Sequence, residues 1–90
     1  GVEESFTQDS LDCEFTCVVI PESNAIRLTA TNPKGMYLVF RRGYTKLYTR
    51  DFDDNVIFLD IKGTFDGKYI IDIFDADKIR VKSYVIERKL

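Results

Sequence analysis

The chain has 90 residues, a formal net charge of −2, and neither histidine nor tryptophan, which fits one small domain. No apolar run approaches the ~20 residues of a membrane span, and the slight acidic excess gives no field to draw nucleic acid or an anionic membrane. Without histidine there is no Ser-His or Cys-His pair and no imidazole metal ligand, so the expectation is a non-enzyme that needs no cofactor.

Residues 1–12 are polar, with Phe6 and Leu11 as their only large apolar side chains. They are expected to be a flexible N-terminal tail ahead of a domain spanning 13–90. The opening Gly-Val-Glu-Glu-Ser has neither the basic nor the apolar segment of a signal peptide, which suits a processed or cloned start. The first predicted strand is 13–20, where Cys13, Phe15, Cys17 and Val19 alternate with Glu14, Thr16, Val18 and Ile20. Pro21 to Asn24 breaks it. In the second, 25–31, Ile26, Leu28 and Ala30 face inward.

Asn32-Pro33-Lys34-Gly35 has the composition of a type I turn. The third strand, 36–42, is apolar on both faces in its middle, so it is placed centrally. The fourth, 44–50, carries Lys46 and Arg50 and one aliphatic side chain, Leu47, which suits an edge. After the acidic loop 51–55, two runs rich in β-branched and aromatic residues flank Gly63 and Gly67. These runs, within 56–74, are the clearest strands in the chain and are expected to organise the rest. Asp75 to Lys78 turns into a last strand, 79–88.

About seven short strands with regular turns and no helical segment is the pattern of an immunoglobulin-like antiparallel β-sandwich. A five-stranded barrel is the competing fold. In an alternating sandwich, loops 32–35, 51–55 and 75–78 share one pole, and loops 21–24, 42–43 and 62–67 share the other.

Gly67-Lys68-Tyr69 entering Ile70-Ile71-Asp72-Ile73 resembles the tyrosine corner of immunoglobulin-like domains. Two residues after Tyr69, where antibody domains carry a disulfide cysteine, stands Ile71, so the chain is not of antibody type. The strand spacing from Phe15 to Ile86, the turn at 32–35 and the hairpin at Arg42-Gly43 resemble the small exported immunoglobulin-like domains of unknown function of the Bacteroidetes. These are similar in plan to the C-terminal sorting domains of large surface proteins. The resemblance implies export to the periplasm or cell surface, and no functional residues. It leaves an interaction or adhesion module with a protein or glycan partner, as monomer or weak dimer. The alternative is a small barrel binding nucleic acid or peptide inside the cell.

Three groups of residues are chemical candidates. Cys13 and Cys17, ~13 Å apart in one strand, are too distant to bridge and read as small buried hydrophobes. Asp51, Asp53 and Asp54, with Asp75 and Asp77, lie in two loops expected at one pole, where carboxylates can hold Ca²⁺. Acidic turns are equally the ordinary composition of solvated loops. Arg41, Arg42, Lys46 and Arg50, with Tyr44 and Tyr48, form a short basic stripe that a protected edge strand explains. Tyr37, Tyr69 and Tyr84 are expected in the core or at the corner, with Gly67 and Tyr69 as its structural residues.

Overall fold

The computed structural model describes residues 1–8 and 12–89. It is an all-β sandwich of two antiparallel sheets. The strands are β1 (Val2–Thr7), β2 (Phe15–Ile20), β3 (Ala25–Ala30), β4 (Tyr37–Arg42), β5 (Thr45–Asp51), β6 (Val56–Asp60), β7 (Gly67–Phe74) and β8 (Arg80–Arg88). A 3-10 turn at Pro21–Ser23 joins β2 to β3. One sheet has the order β1-β8-β7-β4-β5, the other β2-β3-β6. Setting β1 aside, this is immunoglobulin-like connectivity: β2, β3 and β6 form one sheet, and the other carries the β4-β5 and β7-β8 hairpins.

The inward faces follow the period-two pattern. Ile26 and Leu28 of β3, Leu38 and Phe40 of β4, Ile71 and Ile73 of β7, and Ile86 of β8 are all at most 2% exposed. Ile57, Leu59 and Ile61 close the core from β6 and the residue after it. Phe40 stacks on Tyr69 with ring centroids 5.4 Å apart, and Tyr48 tilts against Phe40 at 5.4 Å. Tyr84 is buried. Tyr37 is only half-buried, on the outer face, stacked on Phe74 at 5.1 Å rather than in the core.

Two expectations are corrected. The first concerns the lead expected as a tail: Val2–Thr7 is instead β1, paired antiparallel with β8. Its polar sequence hid this. Glu4 and Thr7, on the inward-facing side of β1, both bond Lys82, so the polar pattern is answered from β8. The remainder of that expected tail, residues 9–11, lies outside the described residues, as does residue 90. The second concerns 56–60. That run forms the outer strand of the smaller sheet, whereas β7 is the middle strand of the larger one. Richness in β-branched residues reports fit to a pleated surface, not centrality. Val56 and Phe58 are in fact 44% and 52% exposed. β5 is an edge strand and β4 an interior one.

The loops sort by pole. Gly35 lies against Ala76, and the Phe52 N–H donates to the Met36 carbonyl, which gathers loops 32–35, 51–55 and 75–78. At the opposite pole the Ile61 N–H donates to the Asn24 carbonyl, and Arg42 approaches Gly67.

Gly35 has φ +76°, and a Cβ there would stand 2.8 Å from the Ala76 Cβ. Gly43 has φ +56° with open space around it. Gly35→Ala is therefore expected to cost about 2 kcal/mol or more, left-handed strain plus a clash, and Gly43→Ala about 1 kcal/mol of strain alone. Urea midpoints of the two variants measure the difference; equal losses would mean that loop 75–78 gives way freely.

Candidate functional site

At the corner between β6 and β7, Tyr69 is 3% exposed and its hydroxyl donates to the Phe65 carbonyl at 2.7 Å. The Arg42 guanidinium lies over the same ring, 5.6 Å from its centroid. Gly67 has φ +139°, and a Cβ there would meet the Arg42 side chain at 3.3 Å. The corner thus holds one loop against the core.

The acidic loops do share a pole, yet among the described residues no group of three or more His, Cys, Asp or Glu side chains is placed to hold a metal ion. Two of the five carboxylates, Asp54 and Asp75, serve their own turns. Asp75 Oδ1 accepts the N–H groups of Asp77 and Ile79, Asp54 Oδ1 accepts that of Asn55, and Asp53 faces Arg50 at 3.9 Å. Asp51 and Asp77 are exposed.

The basic stripe is dispersed. Arg41 Nε donates to Asp72 Oδ2 at 2.6 Å, and Arg50 Nη1 reaches across to the Phe58 carbonyl of β6 at 2.6 Å. Tyr44 is fully exposed, while Tyr48 turns inward onto Phe40. Asp72 itself was not a sequence candidate. It is 5% exposed although it points away from the core, held by Arg41 and by the Ser83 hydroxyl, with Arg80 at 3.8 Å. Arg80 in turn lies over the Phe6 ring at 4.2 Å, so this cluster fastens β1 to its sheet.

Both cysteines are free and half-buried. Cys13 lies just before β2, where its Sγ accepts the Asn32 N–H. Cys17 faces inward from β2. Burial pushes its thiol up to about 12.

Cys17 leads to a concave site. The free edges of β1 and β2 meet along one side of the sandwich. Over half of this seam Lys82, itself 8% exposed, donates to Glu4 at 2.7 Å and Thr7 at 2.8 Å on β1 and borders a smaller hollow of about 350 Å³ with Cys13 and Phe15. The Lys82 bond holds the Glu4 carboxyl below its ordinary value, aided by Thr7. Toward the other pole the seam opens into a groove of about 610 Å³. Val2, Cys17, Val19, Ile61, Ile86 and Arg88 line it, with Asn24 and Lys89 at the rim. Arg88 donates from Nη2 to Asn24 Oδ1 at 3.3 Å. Its Nε is buried without an acceptor among the described residues. Of these residues sequence reasoning had singled out only Cys17, and as a core hydrophobe.

No family model, curated protein or solved structure matches the chain.

Two tests follow from this geometry. Tyr69→Phe removes the bond to Phe65 and should cost about 1 kcal/mol, read from the urea midpoint; no loss would mean that the ring alone holds the corner. For Cys17, a value raised from 9.0 to about 12 means that the protonated thiol is favoured in the fold. The associated stability is complete below about pH 9 and is lost as the pH rises toward 12. At pH 8 the thiol therefore stays protonated, and the thiolate is the reactive form. Mass spectrometry after iodoacetamide treatment should find Cys17 unmodified in the folded protein and both cysteines modified in urea. Rapid native modification of Cys17 would show the groove to be wetter than its lining implies.

Proposed function

We propose that the protein is a non-enzymatic immunoglobulin-like interaction module, working outside the cytoplasm, that receives part of another protein in the groove between β1 and β2. The observation that carries this reading is the groove itself: concave, walled by aliphatic side chains, with one buried donor lacking an acceptor. Ligand sites have this character, a largely apolar wall with a few polar groups that fix orientation. Binding is favoured over catalysis because the thiol in the groove, Cys17, is held protonated by burial. A partner outside the cytoplasm is supported by the resemblance in strand plan and corner alone.

The reading is tested with hexanoate, which joins a short alkyl chain to a carboxylate. Titrated to millimolar concentration and followed by ¹⁵N NMR, it should produce saturable shifts at Val2, Cys17, Ile61, Ile86 and Arg88, and leave the 51–55 and 75–78 loops unmoved. Shifts confined to another surface, or none, would remove the groove as the ligand site.

A further inference from the structure

The backbone bordering the groove says what kind of ligand enters it. The Thr31 N–H donates to the Glu14 carbonyl, and the β2–β3 register continues from that pair without a break. Antiparallel ladders alternate bonded and non-bonded pairs. Thr16, Val18 and Ile20 therefore spend their N–H and C=O groups on β3, whereas those of Cys17 and Val19 point the other way. β2 is an edge strand, and no backbone partner for Cys17 or Val19 is found among the described residues. The same logic holds across the groove. The Glu87 N–H donates to the Gly1 carbonyl, which places the Val2 backbone groups on the free edge of β1.

Unpaired donors and acceptors two residues apart on an edge strand are a template for an added strand. The side chains of Cys17 and Val19 line the groove beside that edge, so alternate side chains of an incoming strand would meet an apolar wall. At the pole end the orphaned Arg88 Nε needs an acceptor. The neighbouring cation, Lys89, is already paired with Glu87 at 3.0 Å, whereas Arg88 has no carboxylate partner among the described residues. An acidic group at the end of the incoming segment complements it.

We propose that the groove takes an extended segment of a partner protein as a strand added to β2. Its alternate apolar side chains enter the groove, and an Asp or Glu near one end bonds Arg88. This rests on the reading of the protein as an interaction module and names the partner's chemistry.

The probe is a synthetic peptide matching the six residues of β2 in length, acetylated and amidated, alternating Thr and Val and ending in Asp. By ¹⁵N NMR and hydrogen exchange it should bind saturably, shift Cys17, Val19 and Val2, and slow exchange of the Cys17 and Val19 amides. The variant that isolates backbone pairing is Val19→Pro. Proline is tolerated on an edge strand where the lost N–H faces away from the ladder, so the fold should persist while affinity falls about tenfold. Arg88→Gln should weaken the Asp peptide and leave the same peptide ending in Asn unaffected. Undiminished binding to Val19→Pro, or equal effects of Arg88→Gln on both peptides, would overturn the added strand or the acidic end respectively. Should hexanoate shift the groove while the peptide does not bind, the interaction site stands and the strand inference falls. Concentration-dependent protection of Cys17 and Val19 without peptide, with dimers in sedimentation, would assign the edge to a second copy of the chain and also overturn the proposal.

Discussion

A sheet of three strands cannot cover a sheet of five. At ~4.8 Å between neighbours the smaller spans ~10 Å and the larger ~19 Å, so the larger overhangs on its flanks. Nearly everything distinctive about this molecule is a response to that mismatch. On the β5 side Tyr48 leans onto Phe40, and Arg50 crosses to a β6 carbonyl that no strand bonds. On the β1 side the response is divided: in one half of the seam the long stem and two polar bonds of Lys82 narrow the gap to a small hollow, and the other half opens into the larger groove. The groove is where the overhang was not filled.

How much of this was legible in the sequence depends on the range of the interaction involved. β3 could be read because Ile26, Leu28 and Ala30 alternate with polar residues, and one buried face imposes that period. The edge character of β5 was visible in Lys46 and Arg50, and the distribution of loops between poles follows once strands alternate. β1 was not visible, because Glu4 and Thr7 satisfy a lysine some 75 residues away and no local pattern carries that information. The position of β6 at an edge was equally hidden, since pleat-fitting residues look the same in the middle of a sheet and at its border.

The candidate site was almost illegible, for a related reason. Its lining comes from β1, β2, the turn after β2, β8 and the residue after β6, and each contributor reads separately as an ordinary core position, a turn residue or a terminal charge. Its backbone features depend on which residues of β2 face β3, a matter of phase that hydrophobic alternation does not declare. The acidic loops were conspicuous by contrast, because composition is local. The carboxylates of Asp54 and Asp75 are used locally too, by N–H groups one to four residues away.

The pairing of β1 with β8 also sets how the domain yields to force. The two strands run antiparallel, with Gly1 beside Glu87 and Val2 beside Ile86. Tension applied between Val2 and Arg88 therefore pulls from the same end of the ladder and loads its bonds one after another. Such a joint opens like a zipper and resists weakly, whereas strands pulled from opposite ends shear all their bonds together. β1 would peel away first, as far as the place where Phe6 lies under Arg80 and Lys82 grips Thr7. The seven remaining strands, with every fully buried side chain among them, would stay folded behind that stop. Pulled in this way, the domain would give a short, defined extension before its core carried load.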